Sequence, residues 1–105
     1  LWIGTSQVNG QPELGSAYYS LDLRKDSTIL VQGQGASDGL TYYGEGTWSL
    51  SGISFTATTH ILNFGETGTV QTITANYDST AGTLSSGTWQ NNGTTSGTFI
   101  LQRVP

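Results

Sequence analysis

The chain has 105 residues, a formal net charge of −4, only 10% charged residues, 15 Gly, and neither Cys nor Met. Ser and Thr add 29 more positions, a surplus of small polar residues that a helical bundle does not carry. Three Lys and Arg in all are too few for the cationic face that nucleic acid requires. No apolar run approaches the ~18 residues of a membrane-spanning helix, and without Cys there is no disulfide scaffold, zinc knuckle or thiol chemistry.

The chain reads as strand and turn throughout. Residues 1–8 form a first strand, ended by Asn9-Gly10-Gln11-Pro12. From Ala17 to Arg24 the alternation is clean: Tyr19, Leu21 and Leu23 share one face, and Tyr18, Ser20, Asp22 and Arg24 the other. Lys25-Asp26-Ser27 turns the chain into a β-branched strand, Thr28 to Gln34, followed by a polar loop from Gly35 to Gly39. A strand from Tyr42 to Leu50, the tight turn Ser51-Gly52 and a strand from Ile53 to Leu62 come next. After a loop from Asn63 to Gly68, Thr69 to Tyr77 leads into the turn Asp78-Ser79-Thr80-Ala81-Gly82. Thr83 to Trp89 and Gly97 to Arg103 complete eight strands, the last two joined by a soft loop from Gln90 to Ser96. Eight alternating strands with short connections predict a single all-β domain, 1–105. The simplest architecture is an eight-stranded antiparallel up-and-down barrel, with a β-sandwich as the alternative.

Size and aromatic content agree with a folded domain. Surface scaling predicts that about 65% of the unfolded area is buried. Three Trp, five Tyr and three Phe at regular intervals set the chain apart from disordered sequences of low hydrophobicity. A short motif recurs at Gly46-Thr47-Trp48, Gly87-Thr88-Trp89 and Gly97-Thr98-Phe99. In a strand it places Gly and the ring on one face and Thr on the other, so an inward Gly leaves space for a ring from a neighbouring strand. Leu84 and Trp89 are an odd number of residues apart. For both to face inward, Ser85-Ser86 must carry a β-bulge.

The runs Gly46-Thr47-Trp48-Ser49-Leu50-Ser51-Gly52-Ile53-Ser54-Phe55-Thr56-Ala57 and Tyr77-Asp78-Ser79-Thr80-Ala81-Gly82-Thr83-Leu84-Ser85-Ser86-Gly87-Thr88-Trp89 are similar to those of small bacterial lipocalin-like (calycin-type) extracytoplasmic domains. Gly97-Thr98-Phe99-Ile100-Leu101 resembles their last strand, so the resemblance covers about residues 40 to 103. It implies an up-and-down barrel that holds a small apolar or aromatic molecule. The first strand departs from the pattern, because Trp2 precedes Gly4 where Gly would precede Trp by two residues. The motifs are hairpin and packing motifs, and no ligand contact transfers position by position.

A barrel of eight strands is just wide enough to be filled by its own side chains or to hold one small ligand. Alternation turns Trp2, Ile29, Val31, Phe55, Ile73, Leu84, Phe99 and Leu101 inward, and with them the candidate ligand contacts Tyr19, Tyr42, Trp48, Thr59, Tyr77 and Trp89. Gly33, Gly44 and Gly46 would open space among these rings. Catalysis has little support. His60, the single His, shares its parity with Thr56 and Thr58 and faces outward. Neither metal-ligand spacing nor a cofactor motif occurs, and Asp26, Asp38 and Asp78 sit where Asp stabilises turns.

The tripeptides Asp26-Ser27-Thr28 and Asp78-Ser79-Thr80 resemble an Asp-Ser/Thr-x pattern for O-glycosylation in secreted bacterial proteins, with Ser27 and Ser79 as acceptors. Asn92-Gly93-Thr94 fits the N-glycosylation sequon. A chain without Met, beginning at Leu1, is read as processed. The expected cause is removal of an N-terminal secretory or lipoprotein signal, giving a secreted or cell-surface location, with a trimmed chain as the alternative. Two partner classes remain open: a small apolar molecule in the barrel, or self-association into a filament or surface layer in which residues 1–8 are donated to a neighbour's sheet edge.

Overall fold

β-Branched and aromatic residues at alternate positions build eight strands: β1 (Trp2–Val8), β2 (Ala17–Leu23), β3 (Thr28–Gln34), β4 (Thr41–Ser51), β5 (Ser54–Ile61), β6 (Val70–Asp78), β7 (Thr83–Asn91) and β8 (Thr95–Arg103). They belong to a computed structural model in which residues 1–35, 39–63, 68–92 and 95–104 are described. Neighbours in sequence are neighbours in space, and β8 returns to β1, so the sheet closes as an antiparallel up-and-down barrel and not a sandwich. Most strand limits agree with the alternation to within a residue. The clearest extension is β8, which starts at Thr95 because Asn91 and Gln90 of β7 still pair with Thr95 and Ser96. One element was not expected: a single 3-10 turn, Pro12–Leu14, between β1 and β2, with Pro at its first position where a missing N–H costs nothing.

β1 is bonded on both edges within its own chain. Trp2 to Ser6 pair with β2, and Trp2 to Val8 pair with β8. Closure leaves no free sheet edge, the feature through which strands are exchanged between chains.

The meander sorts its connections into two ends. The tight turns after β2, β4 and β6 lie at one end, here called the turn end, together with the start of β1 and the finish of β8. The longer connections after β1, β3 and β5 lie at the loop end, together with the short one after β7. Between the ends, alternation buries one face of each strand. Tyr19, Leu21, Ile29, Ile73, Leu84 and Leu101 are all buried to within 1% of full exclusion from solvent.

The bulge expected at Ser85-Ser86 is present. Thr74 pairs with Thr88 and Asn76 with Ser85, while Leu84 pairs with Leu101 and Gly87 with Phe99. Both neighbours of β7 thus see one extra residue, Ser86 takes φ 50°, and Leu84 and Trp89 both end inside. Glycines divide into two kinds. At Gly33 and Gly87 an added Cβ would strike the rings of Tyr42 and Phe99, which is the ring-over-glycine packing the motif implies, and at Gly97 it would strike both the Trp89 ring and the Gln7 carbonyl. Gly46 differs from its expected role. Its Cβ site is taken by the carbonyl of Thr58, so the glycine lets two backbones coil closely and opens no space.

Outside, closure gathers residues that are scattered in sequence. Thr47, Thr58 and Thr72 form one cross-strand row, and Ser49, Thr56, Thr74, Thr88 and Thr98 form a second. Thr74 and Thr88 hydroxyls lie 2.6 Å apart, and those of Ser49 and Thr56 3.0 Å.

Candidate functional site

The interior is two different environments stacked along the barrel axis. Near the loop end a hydrogen-bonded chain crosses the lumen. Tyr19 stands on β2 and Gln71 on β6, strands on opposite sides of an eight-stranded ring, and the Tyr19 hydroxyl donates to Gln71 Oε1 at 2.8 Å. Gln71 Nε2 then donates to Asn91 Oδ1 at 2.9 Å, and the Thr59 hydroxyl donates to the Gln71 carbonyl at 3.3 Å. Tyr19 has no exposed surface and Gln71 has 1%, so the lumen is sealed at this level.

Aromatic packing completes the seal. Tyr19 lies against Phe99 with ring centroids 5.3 Å apart, and Tyr42 covers Gly33. Burial holds the Tyr19 phenol well above its ordinary pKa of 10.0, and the neighbouring Tyr42 adds to the effect. Trp89 covers Gly97, and its Nε1 is buried without a hydrogen-bond partner among the described residues. A donor left unmatched in this way costs about 1–3 kcal/mol.

Towards the turn end the interior opens. A cup of about 480 Å³ is walled by the rings of Trp2, Trp48, Phe55 and Tyr77 and the aliphatic chains of Leu23, Leu50 and Leu84. Its size lies in the lower half of the ~300–1,000 Å³ typical of small-molecule pockets. Trp48 and Phe55 stack at 6.2 Å with planes 18° apart, and Trp2 meets Tyr77 edge to face at 5.9 Å. Leu84 and Phe55 are buried, Trp48 and Tyr77 are half-buried, and Leu50 at the mouth is 43% exposed, so the cup deepens from solvent into the core.

The charged lining comes from the β2–β3 turn, which supplies Arg24 and Lys25 together with Ser27. That turn is clamped to β4. The Trp48 indole donates to the Arg24 carbonyl at 3.0 Å, and the Trp48 backbone N–H donates to the Ser27 carbonyl at 2.9 Å. Asp26 holds the turn from the other side, accepting the Thr28 hydroxyl and the Thr28 N–H. Those two hydrogen bonds, the hydroxyl's first, keep the Asp26 carboxyl below its ordinary pKa of 3.8. Ser27 takes φ 70°, a left-handed conformation that fits a tight hairpin.

The six candidate contacts therefore separate. Trp48 and Tyr77 come together in the cup, whereas Tyr19, Tyr42, Thr59 and Trp89 belong to the loop-end half. Gln71 was not singled out, although its parity with Ile73 turns it inward. Leu50 and Lys25 were not expected in a site, Leu23 was given only its face, and Arg24, placed on the opposite face from Leu23, lines the cup because it stands in the turn beyond the last residue of β2.

Ser27 and Ser79 are both exposed, at the same end of the barrel. Asp78 Oδ1 accepts the N–H groups of Thr80 and Ala81. Asn92 is exposed, with its Oδ1 accepting the Val70 N–H, while Gly93 and Thr94 of the sequon lie outside the described residues, as does Asp38. His60 faces outward, its Nε2 3.8 Å from Glu45 Oε1. No cluster of three or more His, Cys, Asp or Glu suited to a metal occurs among the described residues, and no helix there is long and apolar enough to cross a membrane. Comparison with protein-family models, curated proteins and solved structures finds no match for the chain. The closed eight-stranded architecture is compatible with a calycin-like fold.

Proposed function

We propose that the chain is a lipocalin-like binding module that takes a small apolar or aromatic molecule into the turn-end cup and performs no chemistry on it. The observation that carries this reading is the cup itself: four aromatic side chains around about 480 Å³, open to solvent at one end and floored by a packed core. Apolar walls supply affinity through the area they remove from water, and ring faces favour a planar guest. An extracytoplasmic location, with Ser27 and Ser79 as candidate glycosylation sites, belongs to the same proposal and rests on composition and motif.

Titration with a neutral aromatic probe, N-phenyl-1-naphthylamine, followed by amide and indole NMR shifts, tests the site. Shifts should concentrate at Trp2, Trp48, Leu50 and Tyr77, with Tyr19, Thr59 and Gln71 unmoved. Absence of saturable binding, or shifts centred on the Tyr19–Gln71 layer, would overturn it.

A further inference from the structure

Charge is distributed along this barrel against its composition. The chain carries seven acids and three bases, yet all three bases stand at the turn end: Arg24 and Lys25 in the β2–β3 turn, and Arg103 at the finish of β8. Arg103 bonds through its N–H to the Gly82 carbonyl and lies along Gly82, beside the mouth and not in its lining. Three acids share this end. Asp26 and Asp78 accept hydrogen bonds from their own turns, and Asp22 lies 3.7 Å from Arg24 Nε on the outer surface. None of the three lines the cup.

The cup's charged complement is thus two cations and no carboxylate, on a turn whose backbone is fixed by Trp48. The Trp48 indole N–H is already committed to the Arg24 carbonyl, so the charged donors that line the cup are those of Arg24 and Lys25. Arg24 has an acidic neighbour in Asp22 on its outer side, whereas no carboxylate faces either cation from the lining of the cup. An anionic end on a guest meets them with charge-assisted hydrogen bonds.

We infer that the ligand is an amphiphilic anion, with an apolar ring body in the aromatic cup and its anionic head group at Arg24 and Lys25. This rests on the binding reading above and narrows it to a class of ligand.

Two dyes with the same ring system separate the two claims. 8-Anilinonaphthalene-1-sulfonate carries an anionic head, and N-phenyl-1-naphthylamine lacks it. Fluorescence titrations should show the anionic dye binding about fivefold or more tightly, the scale of an exposed charge contact. The advantage should shrink in 0.5 M salt. Arg24→Gln/Lys25→Gln should abolish the advantage of the anionic dye over the neutral one. Arg103→Gln, which alters charge at the same mouth without touching the lining, should preserve the advantage. Equal affinities for the two dyes, or a loss in Arg103→Gln as large as in the double variant, would overturn the anion inference while the cup stands. Failure of both dyes to bind would remove the cup and the inference together.

Discussion

The Tyr19–Gln71 bond across the lumen lends itself to a double-mutant cycle. Tyr19→Phe removes a hydroxyl that donates at 2.8 Å and leaves Gln71 Oε1 buried without that donor. A buried group orphaned in this way costs about 1–3 kcal/mol. Gln71→Leu is close to isosteric but orphans the fully buried Tyr19 hydroxyl and removes the bond to Asn91, at a similar cost of about 1–3 kcal/mol. The double variant replaces both partners by apolar groups of the same shape, which is nearly neutral, and deprives only half-buried Asn91 of a partner. Its cost should therefore lie near that of one single variant or below, with a coupling energy of about 1–3 kcal/mol. Urea unfolding followed by tryptophan fluorescence measures all four corners. Each kcal/mol should appear as about 4 °C or slightly more in Tm for a domain of this size. Additivity of the two single changes to within about 0.5 kcal/mol would refute the claim that the pair acts as one sealing unit.

Titration of Tyr19 gives a second test. Its folded pKa lies above 10.0, so its contribution to stability is complete below pH 10 and lost as pH rises further, at up to about 1.4 kcal/mol per pH unit. Tyr19→Phe should flatten that part of an alkaline unfolding profile. Asp26 has the opposite sign: its depressed pKa contributes stability above 3.8 that is lost as pH falls through the folded value. In Thr28→Val the carboxyl shift of Asp26 should titrate closer to 3.8. Gly87→Ala would bring a methyl group to 2.5 Å from the Phe99 ring, with an overpacking cost of about 1–3 kcal/mol in thermal denaturation. Phe99→Leu in the Gly87→Ala background should cost less than Phe99→Leu alone, because the smaller side chain relieves the clash.

How much of this was legible beforehand follows from what strand periodicity encodes. Period two reports which face of a sheet a side chain occupies, so the inward placement of Trp48, Thr59 and Trp89 and the outward placement of His60 were readable. The broken parity between Leu84 and Trp89 located the bulge. Height along the axis is a different quantity, because it depends on how far each strand slides past its neighbour. Thr59 and Trp48 lie within a hairpin's length of each other in sequence, yet one belongs to the sealed layer and the other to the cup. Gln71 illustrates the same limit: its parity was plain, but a partner 52 residues away on the opposite wall is set by closure alone. Gly46 was misread because the same missing Cβ serves a ring at one strand crossing and a backbone carbonyl at another.

Sealing one half of a small barrel has a consequence for the other half. Every inward side chain that leaves the cup open is apolar surface not fully removed from water, so the site stands at the expense of stability. Leu50 is the place to test this, since it lines the mouth, is 43% exposed, and pairs with Phe55 across the β4–β5 hairpin. In Leu50→Trp the indole can lie over Trp48 and Phe55, adding ring contact worth about 0.5–1.5 kcal/mol and burying more of the wall. Tm should rise by a few degrees, at about 4 °C per kcal/mol, while affinity for a neutral aromatic probe falls at least tenfold, a change of about 1.4 kcal/mol. The two effects must move in opposite directions if the cup is a binding site held open within an otherwise continuous core. A variant that gains stability and keeps its affinity would show that the probe binds elsewhere. One that loses stability would show that the mouth is already packed to its limit, and that the volume beneath it is a surface groove and not an opening into the core.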